Sequence, residues 1–121
     1  MSEHIHKSDN KSLLLYHFVC PIKYRRTVLS KEVSKAFKEI CLEIEKRYDI
    51  HFLEIGLDDN HVHFLIQSVA IISPKRIINS VKSITAKEIF RLHPDVKRKL
   101  WGGKFWSSGY YVNTVVIPHL I

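Results

Sequence analysis

Along the first half of the chain the apolar residues switch between two periods. Leu13 to Cys20 is an apolar stretch rich in β-forming residues and stopped by Pro21, which predicts a strand leading into the basic cluster Lys23, Tyr24, Arg25 and Arg26. After Ser30, a helix-capping residue type, Val33, Phe37, Ile40, Ile44 and Tyr48 recur at spacings of four, three, four and four. That is the period of an amphipathic helix ending near Tyr48. Ile50 to Leu57 and His61 to Ser68 then read as two strands. Asp58, Asp59 and Asn60 between them are turn formers at the length of a hairpin loop, so the strands should be antiparallel neighbours.

The second half opens with Ser73-Pro74, a helix-start pair, and Ile77, Val81, Ile84 and Ile89 continue an apolar stripe to about Leu92, ahead of Pro94. The other face of this predicted helix carries Arg76, Asn79, Ser80, Ser83, Lys87 and Arg91 at helical spacing. Small hydroxyls alternating with cations suit a phosphate backbone, although an ordinary solvated face has the same composition. Beyond Gly102 and Gly103, the residues Phe105, Trp106, Tyr110, Tyr111 and Val112 read as strand, turn and strand. No repeat, low-complexity tract or linker divides the chain. The order β-α-β-β-α-β predicts one α+β domain, a ferredoxin-like (RRM-like) sandwich with both helices on one face of an antiparallel sheet.

Composition agrees: 121 residues with 45% hydrophobic and 26% charged side chains make a globular chain and exclude global disorder. No apolar run approaches the roughly 20 residues of a bilayer span, and Met1 to Asn10 is polar, so neither membrane insertion nor secretion is expected. Cys20 and Cys41 form no Cys-x-x-Cys pair, which fits a reducing cytoplasm. Charge adds more. Residues 1–60 carry ten basic and ten acidic side chains, residues 61–121 nine and two, so the whole formal excess of +7 lies in the second half. Such a field attracts polyanions, nucleic acid foremost.

The residues with the most chemistry are His61-Val62-His63. Alternation on a strand puts His61, His63, Leu65 and Gln67 on one face and Val62, Phe64 and Ile66 on the other. If the apolar set faces the helices, two imidazoles stand side by side on the opposite face, where they could ligate one divalent cation. Two ligands leave a site incomplete, and His51 is a further candidate. Spacing alone leaves two exposed strand histidines as the alternative.

Several segments together resemble one family. They are Asp59-Asn60 ahead of His61-Val62-His63, Tyr16-His17-Phe18-Val19 leading to Lys23-Tyr24-Arg25-Arg26, and Leu100-Trp101-Gly102-Gly103-Lys104-Phe105-Trp106. Ser73-Pro74, Ile84 to Phe90 and Gly109 to Val115 match as well. From about residue 13 to Val115 the chain resembles the single-tyrosine HUH transposases of small insertion sequences, the IS 200/605 type. The resemblance implies a homodimeric, metal-dependent nuclease and strand transferase acting on single-stranded DNA at hairpin-flanked element ends. His61 and His63 would hold Mg²⁺ or Mn²⁺, and a tyrosine would form a 5′-phosphotyrosine link. With the basic helix face and flanks, the DNA-binding set expected is Lys23, Arg25, Arg26, Arg76, Ser80, Ser83, Lys87, Arg91 and Lys104.

The nucleophile does not carry over. In the family, the strand matching Tyr110 to Val115 precedes a glycine-containing turn and a helix bearing the tyrosine and a glutamine ligand. Here Val115 is followed by Val116-Ile117-Pro118-His119-Leu120-Ile121, with neither residue and with a proline opposing a helix. The expected organisation is a polar tail over 1–12, the transposase-like domain over 13–115 and an aberrant tail over 116–121. Three functions stay open: a transposase inactive in this truncated form, a non-catalytic hairpin or single-stranded DNA-binding module that competes with full-length transposase, or a replication-initiator-like HUH nickase or RNA-binding sheet domain, against which the Trp101-Gly102-Gly103 segment speaks.

Overall fold

Both long helices start where the sequence places a serine. In the computed structural model, which describes residues 13–23, 30–58 and 60–116, Ser30 Oγ accepts the N–H of Val33 and Ser73 Oγ accepts that of Arg76, each at 3.2 Å. These bonds satisfy donors the first helical turn leaves free. The elements are β1 (Leu13–Pro21), α1 (Lys31–Arg47), β2 (Ile50–Leu57), β3 (His61–Val69), α2 (Pro74–Leu92), a short α3 (Pro94–Lys99), a 3-10 turn (Trp101–Gly103) and β4 (Tyr111–Val116). The sheet order is β2-β3-β1-β4 with every neighbouring pair antiparallel, as the ferredoxin-like reading requires.

One face of the sheet packs on the helices. Phe18 and Cys20 of β1, Val62, Phe64 and Ile66 of β3, Phe37 and Cys41 of α1, and Ile78, Val81 and Ile89 of α2 are all fully buried in one cluster. Alternation then turns His61, His63, Leu65 and Gln67 away from the helices, and each is only partly covered. In β2 the register slips between Phe52 and Glu54, leaving Leu53 as an extra, exposed residue. The Glu45 carboxylate of α1 braces this bulge by accepting the Phe52 N–H and pairing with His51 Nδ1 at 2.9 Å.

The structure departs from the sequence reading in four places. Phe105 and Trp106 are not a strand: Trp106 makes one isolated bridge to Ile22, and both rings are buried. The Trp106 indole N–H points at Lys82 O (3.0 Å) and Thr85 Oγ1 (3.3 Å), so the aromatic residues serve the core. Second, α3 was not anticipated. Third, Thr85 and Ile78 lie in the buried stripe of α2, whereas Ile84 is half-buried; Thr85 Oγ1 donates to Val81 O at 2.7 Å, which satisfies its hydroxyl inside the core. Fourth, Val116 belongs to β4, opposite Leu14, and not to a tail. The polar segment 1–12 and residues 117–121 lie outside the described residues.

Candidate metal centre and nucleic-acid interface

The hairpin between β2 and β3 brings three potential ligands together. His61 and His63 lie two residues apart on β3, and their Nε2 atoms are 2.8 Å apart. Asp58, at the end of β2, closes the loop through its N–H to His61 O at 2.9 Å. Its Oδ2 then lies 3.1 Å from each Nε2. These atoms are the one group of three or more His, Cys, Asp or Glu ligand atoms within 4.8 Å of one another among the described residues. Octahedral Mg²⁺ binds ligands at about 2.0–2.1 Å, which puts neighbouring ligand atoms about 3 Å apart, so the three spacings fit one hard divalent cation. Asp58 could add the oxygen and negative charge that two imidazoles lack.

Two contacts orient the histidines. The Asn60 side-chain oxygen accepts from His61 Nδ1; this fixes the proton there and leaves the Nε2 lone pair directed at the other two ligands. His17, on the adjoining strand, stacks on His63 with ring centroids 5.6 Å apart and planes 16° apart. Gly56 pairs with His63 across β2 and β3, and its missing side chain leaves room beside that ring.

The cations fall into two groups. Lys23 is exposed and lies at the end of β1, where its N–H bonds to Phe105 O (2.9 Å) and the N–H of Ile22 bonds to Asn60 O (3.0 Å). Lys104, also exposed, adjoins that ladder, so both lysines belong to the end of the sheet that carries His61. Arg25 and Arg26 lie outside the described residues. On α2, Arg76, Ser83, Lys87 and Arg91 are exposed and Ser80 is half-buried, all on the surface turned away from the sheet. The stripe and the histidines therefore occupy opposite faces of the domain. Arg91 is also partly engaged: its guanidinium bonds to Glu88 at 2.8 and 3.0 Å, which lowers the Glu88 pKa and raises its own.

His51 does not join the site. It pairs with Gln67, four residues along β3 from His63, or about 13 Å at strand rise, and its ring sits against Glu45. The sequence marks Asp58 as a turn residue only; the hairpin brings its carboxylate to both imidazoles because it precedes His61 by three positions. Lys97, Arg98 and Lys99, part of the basic excess of the second half, are exposed on α3, and the Lys97 side chain lies 3.5 Å from where a Cβ on Gly103 would stand.

Comparison with known proteins gives this arrangement a context. Residues 10–117 match the family model described as Transposase IS200 like. The chain belongs to that family. It is 30% identical over 102 residues to the ISDra2 transposase TnpA of Deinococcus radiodurans, a match covering 84% of this chain and 73% of that protein. It is 28% identical over 100 residues to the transposase for insertion sequence element IS200 of Salmonella typhimurium, covering 83% and 66%. A crystal structure of a chain from D. radiodurans R1 assigned as a transposase superposes with a TM-score of 0.77 at 27% identity, covering 88% of this chain and 82% of that one. The α+β fold and a transposase function follow from these matches. No helix among the described residues is long and apolar enough to cross a membrane.

Proposed function

We propose that this chain binds the single-stranded, hairpin-flanked ends of a mobile DNA element in the cytoplasm and holds Mg²⁺ or Mn²⁺ between Asp58, His61 and His63. The observation that carries the reading is the trio of ligand atoms 2.8–3.1 Å apart on the open sheet face. Such a cation, when bound, would neutralise charge on a phosphate oxygen. Asn60 keeps the His61 lone pair available, Asp58 lowers the positive charge of the loaded site, and Lys23 and Lys104 draw the strand toward it.

The nucleophile is the part the described residues do not supply. Tyr16 is buried and Tyr110 packs edge-on against Phe18, centroids 6.1 Å apart. Tyr48 lies at the end of α1, and Tyr111 is held on β4, two strands from His63. These placements favour a second reading, a non-catalytic DNA-binding module that competes with full-length transposase. In-line attack needs the reacting atoms within about 3–3.5 Å, and a side chain held on a strand farther away cannot replace that proximity.

Calorimetric titration with Mn²⁺ should show one site in the native chain, none in His63→Ala and a weaker one in Asp58→Asn. Incubation of the native chain with a labelled element-end strand and Mn²⁺ should leave no covalent band on a denaturing gel. Equal Mn²⁺ binding by His63→Ala removes the metal reading; a covalent band lost in Tyr111→Phe removes the non-catalytic one.

A further inference from the structure

Among the described residues, the open face of the sheet carries an aromatic side chain that neither the core nor the ligand cluster uses. Tyr111 is 73% exposed, although it opens a strand and follows Tyr110, which is turned into the core. The register explains its direction. Val19 of β1 pairs with His63 on one side and with Tyr111 on the other, so the three form one row across the sheet and point to the same face. At about 4.8 Å per strand, the Tyr111 and His63 backbones are about 10 Å apart. A single strand with a phosphate at His63 can therefore lay a neighbouring base over Tyr111.

The ground between them suits a nucleobase. Val19 and Leu65 are half-buried, and His17, opposite Asn113 in the next row, stacks beside His63. Among the described residues no acidic side chain lies on β1 or β4. A ring this exposed packs on no other aromatic side chain among the described residues, while every base offers a π-face to stack on it.

We infer that Tyr111 is a base-stacking platform for the single strand whose phosphate lies at the Asp58, His61 and His63 site. The inference rests on the single-strand reading above and names the residue that would distinguish a strand with bases from a bare polyanion. Stacking needs the ring and not the hydroxyl, and it adds affinity without adding a phosphate contact.

The test compares fluorescence-anisotropy binding of an oligothymidylate with that of an abasic strand having the same number of phosphates. The native chain should prefer the oligothymidylate. Tyr111→Ala should lose roughly 5- to 150-fold of affinity for it and none for the abasic strand, with an unchanged salt slope, and Tyr111→Phe should bind like the native chain. A Tyr111→Ala variant that keeps the full preference overturns the proposal. So does one whose mass by light scattering differs from native, because Tyr111 then belongs to a contact between copies of the chain. Failure of the native chain to bind either strand overturns the single-strand reading itself, whereas equal binding of both strands by the native chain overturns only the stacking role.

Discussion

Cys20 and Cys41 are free thiols sealed in the core, one on β1 and one on α1. Burial pushes the Cys20 thiol up to about 12, against the pull of the Lys82 ammonium, and burial with the Glu45 carboxylate pushes Cys41 higher still. The sign follows from which state loses its proton first. Below the ordinary thiol value, near 9, both folded and unfolded chains hold the proton and stability does not depend on it. From there toward 12 the unfolded chain ionises while the folded one does not, so stability falls by roughly 1.4 kcal/mol per pH unit per thiol. Burial also raises Tyr16, which adds to the loss above pH 10. Urea unfolding between pH 8 and 10.5 should show this slope, and it should be shallower in Cys20→Ala. The same scale shows what a sequence can reveal about a site. The facing of His61 and His63 was legible because alternation on a strand is fixed by backbone geometry. Asp58 was not, because its approach to both imidazoles depends on the path of the hairpin loop.

At the level of elements, the bulge in β2 depends on one side chain. Without Glu45 the Phe52 N–H loses its acceptor and His51 Nδ1 loses its carboxylate contact. Glu45→Ala should therefore cost about 1–3 kcal/mol, and Glu45→Gln, which keeps an acceptor oxygen, less. Chemical denaturation of the two variants checks the order, and hydrogen exchange at the Phe52 amide should rise most in the alanine variant. The long elements were legible for related reasons. Ser30 and Ser73 mark helix starts through bonds they actually make, and α1 and α2 are long enough for their period to show. α3 has six residues and only Val96 buried, too few for any period. Phe105 and Trp106 have strand-forming side chains, but their places are set by contacts with α1 and α2, which no local pattern contains.

Assembly belongs to the whole molecule. The outer side of β4 pairs with no strand among the described residues, and a row of free backbone donors and acceptors is a template for another strand. We expect a homodimer joined along this edge, seen as twice the chain mass in light scattering, with Val112→Pro shifting it toward monomer.

Charge gives the last prediction. The cations expected to meet DNA stand on two surfaces that one phosphate chain cannot touch without passing round the domain. Lys23 and Lys104 stand at the His61 end of the sheet, and Arg76 and Lys87 stand on the far side of α2. Each phosphate neutralised releases counterion, so the logarithm of the binding constant falls with the logarithm of salt by about 0.7 per contact on a single strand and about 0.9 on a duplex. A pure single strand lying on the open face should feel only the first pair. A hairpin joined to a single strand should feel both, its duplex stem on α2. Lys23→Ala and Lys104→Ala should thus flatten the salt slope for both ligands, by about one contact each, and Arg76→Ala and Lys87→Ala should flatten it for the hairpin alone. Equal flattening of the single-strand slope by the α2 variants would show that the strand runs over the helices, and would separate it from the histidine face.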